Sequence, residues 1–310
     1  METPKVSIIA SSVRPWLWSE FMESLKDNVI VPQVTFAGNL DRYQVRYYVN
    51  KYPHLQYIHT NVKPAQCYQI AFLYSDFDSL IMYMADDCEC EPGLIDKVVE
   101  FYMSLNNPKA VVSVRTNEDG RNYGTEIHTI IGWNVNTPLM APIGLVAQRY
   151  IAELNGFDKR FISGQWENDF CMRVYADGGT VVPFDPGPTV KIDHAIKHKG
   201  TNEKNPFWSA YQHDRKVLED TWVKGGYKPA TPYATVNLPD GRTVPMFKIL
   251  DNRKVLSKPQ LPFEAYDDID ILTKNQGPAG IFEIKEEKDL QNIEETTIKP
   301  DYINKENDNA

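Results

Sequence analysis

Ser79-Leu80-Ile81-Met82-Tyr83-Met84-Ala85 is an uncharged run that stops abruptly at Asp86-Asp87-Cys88-Glu89. Seven such residues are too few for a buried helix and read as a strand covered on both faces. The chain around it follows the same plan. Residues 6–10, 33–37 and 56–59 are further short apolar runs, and the stretches between them, 16–28, 41–51 (helix or loop) and 63–74, carry helical spacing. Downstream, residues 92–105 predict a helix that places Ile95, Val98, Val99 and Tyr102 on one face. Strands are expected at 111–115, 143–147 and 180–184, with a helix at 165–177. This alternation predicts an α/β domain: a largely parallel sheet with helices on both faces.

In such sheets, ligands sit beyond the carboxyl ends of the strands, where the strand order reverses. Three groups of residues fall at those ends: Ser11-Ser12-Val13-Arg14, Gly38-Asn39-Leu40-Asp41, and Asp86-Asp87. Adjacent carboxylates repel each other unless a cation or a basic partner offsets their charge. A Mg²⁺ or Mn²⁺ held by them would bind substrate phosphates. The same acids would also serve as a solvated turn capping the next helix.

A second cluster begins with Asn155-Gly156-Phe157-Asp158-Lys159-Arg160-Phe161 and continues through Gly164-Gln165-Trp166-Glu167-Asn168-Asp169. Here a glycine-bearing loop leads into a helix that opens with acids. A carboxylate at that position either takes a proton from an acceptor hydroxyl or simply complements the helix N-terminus. A third candidate is Ile192-Asp193-His194, with His198 close by. Cys88-x-Cys90 lacks a second cysteine pair and therefore does not make a zinc site.

Composition bounds the function. The 310 residues include 17 Tyr, 13 Phe and 6 Trp, which excludes disordered and fibrous classes. Lys+Arg number 33 against 42 Asp+Glu, and a net charge of −9 disfavours a dedicated nucleic-acid clamp. Four cysteines are too few for a disulfide scaffold, so reduced thiols are expected. No apolar run reaches membrane-spanning length, the N-terminus lacks the build of a signal peptide, and a cytoplasmic location is expected. Near Lys224-Gly225-Gly226 the pattern changes. The expected organisation is a catalytic domain over 1–225, an accessory hairpin and extension over 226–275, and a charged tail over 276–310.

Taken in order, these pieces resemble the family 2 glycosyltransferases of the GT-A fold. Residues 6–14 are similar to that family's opening strand and loop, and Asn61-Val62-Lys63-Pro64-Ala65-Gln66-Cys67-Tyr68-Gln69 resembles its Asn-x-Gly…Ala-x-Asn helix. Tyr83–Asp87 stands at the metal-binding Asp-x-Asp type motif, 155–161 resembles the Gly-Gly-Phe-Asp-Glu-x-Phe loop, and 166–173 is similar to the Glu-Asp-x-Asp-Leu-x-x-Arg helix. The match spans roughly residues 5–200.

The resemblance implies a GT-A mixed sheet with a C-terminal extension. It also implies inverting transfer from a UDP-, GDP- or dTDP-sugar to an acceptor hydroxyl, on a glycan or a modified nucleobase among others. Mn²⁺ or Mg²⁺ would be held by Asp87, Asp86 and His194. Ser11, Arg14, Asn39, Asp41, Lys63, Gln69 and Asp86 would face the donor. Glu167 would be the base, with Asp169 beside it fixing the loop or the acceptor, and Trp166 would offer a ring face to a sugar. The rival expectations are a non-catalytic sugar-binding or assembly protein of the same fold, and a sugar nucleotidyltransferase.

Overall fold

Alternate side chains of each central strand serve two different cores, and this period of two sets the layers. In β1 (Val6–Ser11), Val6, Ile8 and Ala10 join one apolar cluster while Ile9 joins the other. The computed structural model describes residues 4–76, 78–124, 139–193, 206–223, 231–239, 241, 243–248 and 270–272.

After β1, a 3₁₀ turn (Pro15–Leu17) leads into α1 (Trp18–Ser24), followed by β2 (Gln33–Gly38), α2 (Arg42–Lys51) and β3 (Leu55–His59). Next come α3 (Pro64–Leu73), β4 (Leu80–Tyr83), β5 (Glu89–Cys90) and α4 (Leu94–Ser104). The chain then runs through β6 (Ala110–Val114), β7 (Thr116–Glu118), β8 (Arg121–Tyr123), β9 (Gly144–Ala147) and α5 (Gln148–Glu153). It continues with α6 (Trp166–Ala176), β10 (Thr180–Phe184), β11 (Val190–Ile192) and α7 (Pro206–Leu218), which passes into a π turn (Glu219–Val223). The last described elements are β12 (Thr231–Asn237), β13 (Thr243–Lys248) and β14 (Asp270–Leu272).

Among the described residues the main sheet has eight strands in the order β10-β6-β9-β4-β1-β2-β3-β14, with β9 and β14 antiparallel to their neighbours. The chain steps outward from β1 through β2 to β3, and α3 then carries it back to β4 on the other side of β1. The order therefore reverses between β1 and β4. One face is covered by α1, α2 and α4, whose Trp18, Phe21, Tyr48 and Val98 are buried there. On the other, Ile70 of α3, Phe170 and Val174 of α6, and Leu218 and Trp222 at the end of the α7 segment form the second core. The mixed α/β sheet expected from the sequence is the observed fold.

A smaller sheet, β5-β11-β7-β8, stands beside the acid motif. Its strands are two or three residues long and have no readable period, so they were not expected. The hairpin expected after residue 226 is present as β12 and β13, with Gly241 in the left-handed region at φ +85°. Within 226–275, residues 270–272 return to the main sheet as its edge strand against β3. The tail expected over 276–310 lies outside the described residues.

Candidate functional site

Beyond the end of β4, at the strand-order reversal, Asp86 and Asp87 are both buried. Arg14, from the loop after β1, pairs with both: Nη1 donates to Asp87 Oδ2 at 2.8 Å, and Nη2 to Asp86 Oδ1. Ser12 Oγ is 2.6 Å from Asp86 Oδ2, and the indole Nε1 of Trp18 donates to Ser12 Oγ at 2.6 Å. Burial works against charge on Arg14, but the two carboxylates outweigh it and hold the guanidinium above its ordinary value. The repulsion anticipated for adjacent acids is thus offset by a residue more than seventy positions away. One guanidinium against two carboxylates leaves a formal charge of about −1 at a strand end.

That donor set suits a hard divalent cation, which needs only one or two protein carboxylates when substrate phosphates supply further oxygens. Among the described residues, no group of three or more His, Cys, Asp or Glu could hold a metal ion. His194 and His198 lie outside the described residues. The strand that precedes them, β11, pairs with β5, two residues beyond Asp87.

The second half of the site is built around the start of α6. Gln165 adopts the left-handed conformation, φ +64°, and ends the loop that delivers Glu167 to the first helical turn. Glu167 is half-buried. Burial pushes its carboxyl up to about 7; bonds from its own backbone and that of Gln165 pull the other way, and the charge of Asp214 adds to the rise. Such a group holds or releases a proton near neutrality, as a general base requires.

Asp169 is placed differently. It is buried, with Arg173 Nε at 2.9 Å from Oδ2 and Trp222 Nε1 at 2.8 Å from Oδ1. Arg173 in turn donates through Nη1 to the carbonyls of Leu154 (2.7 Å) and Gly156 (2.8 Å). Asp169 therefore ties α6 to the 155–161 loop. Gln69 holds the same loop, because its Oε1 accepts from the Phe157 amide at 2.7 Å. Gly156 is in the left-handed region, and any Cβ there would strike Gln69 Oε1.

Tyr68 joins the two halves. Its ring lies 4.2 Å from that of Trp166 and its hydroxyl donates to Met84 O at 3.1 Å. Burial raises its pKa well above the ordinary value, and the charges of Asp86, Glu167 and Asp87 add to the rise. The acid pair and the helix carboxylate are thus both within electrostatic reach of one side chain. Trp166 is buried against Tyr68, Tyr83 and Phe157, so it packs as a core residue.

The remaining expected donor residues divide. Ser11 ends β1 beside Cys67, to which its side chain is hydrogen-bonded. Asn39 and Lys63 are exposed, after β2 and ahead of α3 respectively. Asp41 is exposed and caps α2, accepting from the amides of Tyr43 (2.9 Å) and Gln44 (3.0 Å). Gln69 is buried, and its side chain supports the 155–161 loop. Reading the sequence did not single out Trp18 or Tyr68 as members of this site. It also passed over Asp214, whose carboxylate accepts three backbone amides of the loop before Glu167.

No protein family and no curated protein matches the chain in sequence. Solved structures do match in shape. TarS residues 1–349 from S. aureus superposes with a TM-score of 0.50 at 12% identity, over 71% of this chain and 73% of that one. The same protein in complex with UDP-GlcNAc gives 0.50 at 14%, over 67% and 61%. GalNAc-T7 with UDP, GalNAc and Mn²⁺ gives 0.52 at 11%, over 71% and 48%. At these identities the likeness is one of fold, and the fold is GT-A.

Proposed function

We propose that the chain is a metal-dependent, inverting glycosyltransferase that moves a sugar from a nucleotide-diphosphate sugar to an acceptor hydroxyl. The observation that carries this reading is the pairing of two unlike carboxylate sites around Tyr68. One is an acid pair at the strand-order reversal; the other is the carboxylate of Glu167 at a helix start, pushed up by burial to about 7. Complexes of TarS with UDP-GlcNAc and of GalNAc-T7 with UDP and Mn²⁺ support a UDP-sugar as the first donor to try. The four described cysteines are free thiols, which supports a reducing compartment.

In this reading Asp86 and Asp87 would hold Mn²⁺ or Mg²⁺, which when bound supplies positive charge opposite a diphosphate leaving group. Arg14 keeps the two carboxylates apart and oriented, and its guanidinium lies within the same cluster for a phosphate oxygen to meet. Glu167 takes the proton of the acceptor hydroxyl as that oxygen attacks the anomeric carbon. The bond from that carbon to the phosphate oxygen breaks on the opposite face and inverts the configuration. The departing diphosphate leaves with the bonding electron pair. Asp169, Arg173 and Gln69 keep the loop beside the base in place.

A thermal-shift panel of UDP, GDP and dTDP and their sugars, with and without Mn²⁺, tests the reading. A ligand that binds only the folded chain raises Tm by mass action. One nucleotide should do so in the presence of metal and much less in its absence. A panel in which no nucleotide moves Tm with or without Mn²⁺ would overturn the proposal.

A further inference from the structure

Asp214 of α7 is buried, and three consecutive backbone amides point at its carboxylate. Oδ1 accepts from Ile162 at 2.8 Å, and Oδ2 from Ser163 at 2.7 Å and Gly164 at 2.9 Å. Gln165 follows in its left-handed conformation and α6 begins one residue later, so the anchor lies three residues from Glu167. Trp222, from the π turn that continues α7, holds Asp169 on the next part of the same helix. One segment therefore holds the loop ahead of α6 and α6 itself, on either side of Glu167.

We propose that Asp214 is a positioning residue for the proton-accepting carboxylate: by gathering the 162–164 amides it fixes where Glu167 stands in the cleft. The proposal rests on the reading of Glu167 as the base. The groups around Glu167 leave Asp214 in a particular role. Tyr68 from α3, Tyr83 from β4 and Cys171 from α6 all sense the charge of Glu167, and burial raises each of them and keeps it neutral. Among the described residues, Asp214 is the charged group that acts on Glu167, and His213, half-exposed, flanks it with Nδ1 3.1 Å from Oδ1. A carboxylate suits this place because it can only accept, whereas an amide would turn N–H groups toward N–H groups.

The test uses Asp214→Asn and Asp214→Glu in the full chain, with two readouts. The first is kcat and donor KM across pH. The second is the titration midpoint of the Glu167 carboxyl by ¹³C NMR, assigned with Glu167→Gln. Asp214→Asn should lower kcat by about 10–100-fold, the scale of a slightly misplaced catalytic group, with donor KM little changed. It should also lower the Glu167 midpoint through loss of a neighbouring negative charge, by less than burial raises it. Asp214→Glu keeps the charge on a longer arm, so it should restore the midpoint while recovering only part of kcat. Should Asp214→Asn fail to fold, Asp214→Glu alone decides: native kcat in a variant whose loop amides have been displaced would overturn the proposal. A native midpoint and native kcat in folded Asp214→Asn would do the same. If the midpoint falls but the acid limb of kcat does not follow it, Asp214 positions Glu167 and Glu167 is not the base.

Discussion

On the sheet side of the cleft, Asp86 and Asp87 follow β4 and are matched by Arg14 from the end of β1. On the helix side, Glu167 opens α6 with no basic side chain paired to it among the described residues. The contrast follows from how each half is held. Parallel strands β1 and β4 are locked in register, Val6 opposite Leu80 through Ile9 opposite Tyr83, so residues just past their ends meet without further support. A helix start reached through a loop has no such template. It is tied from outside by Asp214 of α7, while Gln69 of α3 and Arg173 of α6 itself hold the 155–161 loop beside it. A half that keeps about one negative charge after pairing suits a cation, and a carboxylate with no basic partner suits proton transfer.

The sharpest way to break this comparison is Glu167→Gln. If the helix side does the proton transfer, the turnover rate should fall by about 10²–10⁴ while donor affinity measured by calorimetry stays close to native. Near-native transfer would remove the distinction. The same carboxyl also shapes stability. In the folded chain it keeps its proton up to about 7, and unfolded it ionises from about 4.5. The folded state therefore binds more protons between those values, and stability should decline as pH rises across that window. Urea unfolding as a function of pH should show a flatter profile in Glu167→Gln.

Asp169→Ala probes the scaffold of the helix side instead of its chemistry. It removes the carboxylate that pairs with the buried guanidinium of Arg173 and accepts from the Trp222 indole. A loss of about 3–5 kcal/mol in denaturant unfolding is expected, as for other broken buried pairs. Arg14→Ala should cost less, about 2 kcal/mol, because Arg14 is partly open to solvent. Mn²⁺ should then raise Tm more in the variant than in the native chain, since the cation would replace the missing charge. No Tm response to Mn²⁺ in either chain would show that the acid pair takes no cation. The smallest effect belongs to the edge of the sheet. Ending the chain at residue 269 removes β14 and should cost about 1 kcal/mol of backbone pairing, whereas ending it at 280 should leave Tm unchanged.

The sequence discloses residues whose partners lie nearby, or whose pattern repeats. The β1 and β4 strands are readable as unbroken apolar runs, and Asp86-Asp87 as an anomaly at the end of one of them. The Asp41-x-x-Gln44 cap is a local pattern of the kind that marks a helix start, so the role of Asp41 could have been found. Arg14 could be placed near a ligand but not against Asp86, because register alone brings β1 and β4 together. Asp214 gave no signal at all. Its partners are main-chain amides, and any residues at 162–164 other than proline would have supplied them. The short strands β5, β7, β8 and β11 escaped notice for the simpler reason that two or three residues cannot show a period.

The contact between Trp18 and Ser12 fixes more than a position. An indole nitrogen can only give its hydrogen, so the Ser12 hydroxyl receives it and must aim its own hydrogen at Asp86. The three residues form a one-way relay whose polarity is set at a site buried away from water. Any event that rotates Asp86 must also turn the Ser12 hydroxyl and disturb the Trp18 N–H. That proton is visible in an NMR spectrum far from the amide crowd. The indole resonance of Trp18 is therefore a built-in gauge of what happens at the acid pair.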